Sequence, residues 1–164
     1  MVVRRARADD LPALERIYVE AGRAAWAHIL RTETLAQLEA PSALRDGLDG
    51  DALVLVVELD GRVVGFAEAL AREPGVAAVR AFYTAPDAWG LGAGRALMSA
   101  LLAELETQGY AAATLWTAEE NHRPRRFYEE AGWRLDGTER HQSWKGSEFV
   151  ELGYRIELTS PGPA

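Results

Sequence analysis

Pro86-Asp87-Ala88-Trp89-Gly90-Leu91-Gly92-Ala93-Gly94-Arg95-Ala96-Leu97-Met98 joins a stretch that reads as a strand to one that reads as a helix. Residues 75–84 ahead of it are rich in Val, Phe and Tyr, and behind it Leu97, Met98, Leu101, Leu102 and Leu105 recur at helical spacing. The glycines at 90, 92 and 94 therefore fall in a tight turn at a helix N-terminus. Such a turn lets a ligand approach the main chain, and the free N–H groups and dipole of the first helical turn attract an anion such as a pyrophosphate. The stretch lacks the Gly-Lys-Ser/Thr ending of a Walker-type loop, and its glycine spacing is one residue short of the dinucleotide fingerprint.

The same stretch resembles the acetyl-CoA-binding motif of the GNAT N-acetyltransferase superfamily, Q/R-x-x-G-x-G/A, with Gly92 and Gly94 on the two fixed small positions. Trp89 stands where the family usually has Gln or Arg. A second resemblance runs from Leu115 to Trp133: an Asn (Asn121) following a strand, then Phe127-Tyr128-Glu129-Glu130-Ala131-Gly132-Trp133 closing the next helix. Together the two cover residues from about 75 to 135 and identify the chain as a member of that superfamily.

The 164 residues carry a net charge of −7 and no cysteine. That length suits one domain, expected over 1–158, with a flexible Pro/Gly-rich tail at 159–164. The charge argues against nucleic-acid binding and mildly favours cationic substrates such as amines. No apolar run approaches the roughly 18 residues of a membrane span, and the first residues lack the apolar core of a signal peptide. Without cysteine there is no disulfide framework or thiolate metal site, and no His/Asp/Glu cluster has metal-ligand spacing. A cytoplasmic protein without metal fits best. Lys145 is the only lysine, which points to a GC-rich, bacterial genome.

In chain order, a strand over 2–6 precedes a helix capped at Asp9 or Asp10 and carrying Leu11, Leu14, Ile17, Tyr18 and Ala21. Gly22 is expected to break it, with a second helical stretch through Trp26 and Leu30 and a short helix over 34–44. Strands over 52–59 and 62–71 flank Asp60-Gly61, a hairpin signal, and Arg72-Glu73-Pro74-Gly75 turns the chain into the strand before the glycine turn. A helix over 90–108 ending at Gly109, then a strand over 111–117, implies a parallel crossover pair. A helix from about Pro124 to Ala131 and a last hairpin, 133–142 and 149–158, complete the order. This is an α/β chain with a mixed central sheet of about seven strands and helices on both faces, the order of the GNAT fold.

The resemblance implies roles. Backbone N–H groups around Phe82, Tyr83 and Thr84 would bind the pantetheine and polarise the thioester. Trp89, Gly90, Leu91, Gly92, Ala93, Gly94 and Arg95 would hold the pyrophosphate, and Asn121 would bond the pantetheine arm or merely cap the following helix. Tyr128 would protonate the leaving sulfur, or else only pack. Arg126, with Arg123 and Arg125, would meet CoA phosphates or form a solvated helix face. Trp26 is core packing or an aromatic wall of the acceptor site. Glu68 is the candidate base, because alternation puts it on one face with Val64, Phe66 and Leu70, or else it is a strand-end carboxylate facing water. His122 and His141 sit in no motif. The implied activity is acetyl transfer from acetyl-CoA to a small-molecule or peptide amine; the alternative is a non-catalytic acyl-CoA sensor. Homodimers are common in the family, and the apolar last strand offers a pairing surface.

Overall fold

The computed structural model describes residues 1–158, so the expected tail at 159–164 lies outside the described residues. Its strands are β1 (Val2–Arg5), β2 (Leu53–Leu59), β3 (Arg62–Glu73), β4 (Val76–Thr84), β5 (Ala112–Ala118), β6 (Arg134–Trp144) and β7 (Ser147–Glu157). They form one mixed seven-stranded sheet in the order β1-β2-β3-β4-β5-β7-β6. The first four are antiparallel neighbours, and Asp60 and Gly61 turn the β2–β3 hairpin with φ of 52° and 77°. Both are left-handed values, which is why Asp-Gly marks such hairpins.

Helices α1 (Leu11–Trp26), α2 (Thr32–Ala36) and α3 (Ala43–Asp49) precede the meander, while α4 (Ala93–Thr107) and α5 (His122–Glu130) flank β5. Two apolar layers hold them to opposite faces. Leu97, Leu101 and Leu105 of α4 pack on Leu55, Val57, Ala67 and Ala113, and Leu14 and Ile17 of α1 pack on Val54, Val56 and Phe66. Both α1 and α4 bury the face that their periodicity marks as apolar.

Several expectations are corrected. Gly22 does not break α1: the helix runs on to Trp26, and a Cβ at Gly22 would come within 2.6 Å of Leu38 Cδ2, so the missing side chain admits a neighbour. The helix expected over 34–44 is two, α2 and α3, parted by residues around Pro41. α4 begins at Ala93, because Pro86–Ala88 form a separate 3₁₀ turn and Gly92 has a left-handed φ of 85°. α5 begins at His122, ahead of Pro124. Val64 does not share a face with Phe66 and Glu68, since a register shift between Val57 and Glu58 on β2 displaces it to the α4 side. The last strand is interior, bonded to both β5 and β6, so its edges are spoken for.

The one parallel junction is short. β4 pairs with β5 only at Val76–Ala112, Ala77–Ala113 and Ala78–Thr114, after which the strands part.

Candidate active site

The parting of β4 from β5 opens a cleft of about 1050 Å³ that passes through the sheet and is lined from both faces. The Ala85 amide donates to Val64 O on β3 at 2.7 Å. Alternation along the strand turns the amides of Thr84 and Phe82 to the opposite edge, from which β5 has departed. The expected Phe82, Tyr83 and Thr84 therefore line the cleft, as do Trp89, Gly90, Gly92, Ala93, Gly94 and Arg95.

The glycine turn presents main chain. Gly92 caps α4, and the first intrahelical bond runs from Ala96 N to Gly92 O at 3.0 Å, leaving the earlier first-turn amides to face the cleft. The Trp89 indole N–H donates to Thr84 O at 3.0 Å, and the Arg123 guanidinium lies 4.0 Å over its ring. Trp89 thus ties the end of β4 to the turn and to α5 at once. Leu91 is 55% exposed, and neither it nor the exposed Arg126 lines the cleft; Arg125 is engaged with the Tyr154 hydroxyl at 3.0 Å.

Asn121 is buried, its Oδ1 has no hydrogen-bond partner, and it makes no side-chain cap to α5. The capping role is therefore unfilled, and a bare acceptor oxygen belongs to a cleft-lining residue. Tyr128 is buried among Phe82, Phe127, Trp133 and Tyr154, and its ring also lines the cleft. Burial pushes its hydroxyl above the ordinary tyrosine value. Tyr83 is raised likewise, by burial first and then by the nearby Glu151 carboxylate and, once ionised in alkali, the Tyr18 and Tyr128 phenolates. Both phenols stay protonated at neutral pH.

On the opposite face, Trp26 stacks edge-on against Phe149 at 4.9 Å and lines the cleft beside His28, whose Nε2 meets Glu120 O at 2.8 Å. Glu68 is buried, as alternation implied, but its company is not apolar alone: it ion-pairs with Arg80, its carboxylate fills the space beside Gly47, and it does not line the cleft. The carboxylate that does is Glu151, which accepts from Arg140 Nε at 2.7 Å and Gln142 Nε2 at 3.1 Å. Arg140 in turn lies 4.5 Å over Trp116. Sequence reading missed Glu151, Arg140, Arg80 and Arg72. One signal was there: the two-residue turn Lys145-Gly146 fixes the register that sets Arg140 opposite Glu151. His122 and His141 are exposed and outside the cleft. Among the described residues no group of three His, Asp or Glu is placed to hold a metal, and no helix is long and apolar enough to cross a membrane.

The family model described as acetyltransferase (GNAT) family matches residues 11–133. The chain is 36% identical over 115 residues to phosphinothricin N-acetyltransferase of Alcaligenes faecalis, covering 63% of this chain and 54% of that protein, or about half its length. It is 30% identical over 134 residues to an uncharacterized N-acetyltransferase of Archaeoglobus fulgidus, covering 78% of this chain and 89% of the relative. Among solved structures, ribosomal-protein-alanine N-acetyltransferase from Brucella melitensis superposes with a TM-score of 0.75 at 25% identity, covering 96% of this chain and 100% of that one. PaiA N-acetyltransferase from Thermoplasma acidophilum, in complex with coenzyme A, shares the fold with a TM-score of 0.75 at 19% identity over 96% of this chain and 98% of its own.

Proposed function

The chain belongs to the GNAT acetyltransferase family, and we propose that it transfers an acetyl group from acetyl-CoA to a primary amine of a small molecule or peptide. One observation carries this reading: the residues of the α4 N-terminal turn, Asn121 with its unpartnered oxygen, and Tyr128 all line one cleft where two strands part. The fit to acetyl-CoA is chemical. The amides of the Gly92 turn suit a diphosphate, and the Asn121 Oδ1 suits an amide N–H donor such as the pantetheine arm presents. Gly94 leaves room between Phe127 and Thr84, each nearer than 4 Å to where its Cβ would stand.

Acetyl-CoA brings an activated acyl group; the residues do the rest. The amides of Phe82 and Thr84, turned to the open edge about 7 Å apart, divide two tasks: one donates to the thioester carbonyl and stabilises charge developing on its oxygen, and the other holds the pantetheine arm. The Tyr128 hydroxyl keeps its proton at neutral pH and gives it to the departing sulfur. The acceptor amine reaches the carbonyl from the Trp26 side and loses its proton to water. Glu68 fixes Arg80 instead of taking that proton directly, because its carboxylate lies outside the cleft. Thiol release over a panel of amines is the test. Binding of acetyl-CoA without release on any amine would favour the sensor reading.

A further inference from the structure

The lining of the cleft has a charge opposite to that of the chain. The sequence holds 25 acidic residues against 18 basic ones. Around the cleft, Arg72, Arg80, Arg95, Arg123 and Arg140 face a single acid, Glu151. Arg95 and Arg123 belong to the mouth that the α4 and α5 N-termini form. The other three lie at the opposite mouth, on the α1 face of the sheet.

Two of those three are already matched. Arg140 holds Glu151 and covers Trp116, and Arg80 pairs with the buried Glu68. Arg72 is not: its Nη1 donates to the Thr114 hydroxyl at 3.2 Å, and it makes no ion pair among the described residues. It reaches Thr114 across Ala78, which pairs with Leu70 on one side and Thr114 on the other and is too small to fill the space. The result is one exposed guanidinium without an ion pair among the described residues, with Arg80 two residues beyond Ala78 on β4, at the rim of the acceptor mouth.

Resting on the acetyl-transfer reading, we infer that the acceptor is a small amine that also carries a carboxylate, bound by Arg72 with Arg80 at the α1-side mouth. A guanidinium pairs with a carboxylate through two parallel N–H donors, which a neutral amide cannot accept with equal strength. Like charge works in the same direction, since a plain diamine would bring a second cation into a cationic mouth. Overall charge draws cations to the surface, whereas the local lining selects against them inside. Spacing follows from the strand. Arg80 and Ala78 stand two and four residues before Phe82, roughly 7 and 13 Å at about 3.3 Å per residue. The amine and the oxyanion of the acceptor are therefore several bonds apart.

The test uses the whole protein with saturating acetyl-CoA and follows thiol release on ω-amino acids from glycine to 6-aminohexanoate, beside their neutral amides and the matching diamines. The best acid should exceed its amide in kcat/KM by about tenfold or more, the usual worth of a charged hydrogen bond. Arg72→Gln should remove that preference by lowering kcat/KM for the acid to about that of its amide, and be partly rescued by Arg72→Lys. Arg72 is the position to change because Arg80→Gln would strand the buried Glu68 carboxylate. Amides or diamines that match the acids, or an Arg72→Gln variant that slows acids and amides alike, would overturn the inference. Should no amine release thiol, the acetyl-transfer reading fails by itself. Calorimetric titration of 6-aminohexanoate against its amide then still decides recognition: binding of the acid alone, lost in Arg72→Gln, upholds it, and equal binding or none refutes it.

Discussion

Replacing Asn121 by leucine should move stability and cofactor affinity in opposite directions. The side chain is 4% exposed with an unpartnered Oδ1, so the free protein bears the desolvation of that oxygen without a compensating bond. Such a group costs about 1 to 3 kcal/mol. Leucine has nearly the same shape and no oxygen, and no capping bond is lost because the side chain makes none to α5. A gain of about 1 to 2 kcal/mol, at roughly 2 to 4 °C per kcal/mol for a chain of this length, raises Tm by about 2 to 8 °C. Acetyl-CoA meanwhile loses one neutral hydrogen bond, about 0.5 to 1.5 kcal/mol, which weakens Kd by roughly two- to twelvefold. Scanning calorimetry of the free variant reads the first quantity and titration calorimetry with acetyl-CoA the second. A lower Tm with an unchanged Kd would mean that Asn121 serves the β5–α5 connection and not the ligand.

Tyr128→Phe should lower kcat by about 100-fold, the low end of the range for general acid catalysis, because a thiolate is already a fair leaving group. The KM for acetyl-CoA should stay within about twofold, as the ring keeps its place among Phe82, Trp133 and Tyr154; an unchanged kcat with chemistry rate-limiting would reduce Tyr128 to packing. Glu68→Gln should keep the acidic limb of the kcat/KM profile while raising the acceptor KM, since it loosens Arg80; loss of that limb would make Glu68 the base after all. Stability should also respond to alkali. Burial raises the hydroxyls of Tyr83 and Tyr128, so the folded state holds protons that the unfolded chain releases near pH 10. Their contribution is complete below about pH 10 and is lost as pH rises beyond it, and urea titrations from pH 8 to 11 should show a midpoint that falls only in the upper part of that range.

What the sequence disclosed and what it hid divide along locality. Asp60-Gly61, the Gly92 turn and the crossover through α4 are set by a few adjacent residues, and each is where local chemistry puts it. The expectations that failed depend on partners far along the chain. Gly22 reads as a breaker until Leu38 arrives beside it, and Val64 sits in phase with Phe66 until β2 shifts register. In the site, Asn121 and Tyr128 were legible because they lie in one contiguous motif. Arg72, Arg80, Arg140 and Glu151 come from four separate strands, and no spacing along the chain announces that they share one face.

The short β4–β5 ladder explains why the chemistry is concentrated where it is. A strand that leaves its neighbour exposes amides and carbonyls that would otherwise be bonded, which is ordinarily a liability. Here Trp89 satisfies the Thr84 carbonyl through its indole N–H, and the amides of that edge remain for a ligand. Among the described residues the β4–β5 ladder is three pairs long, Val76–Ala112 to Ala78–Thr114, extended at its start by the Ala111 and Ala112 amides donating to Gly75 O. A molecule that fills the parting and bonds to both β4 and the β5–α5 connection replaces the missing ladder, so binding and the completion of the sheet become the same event.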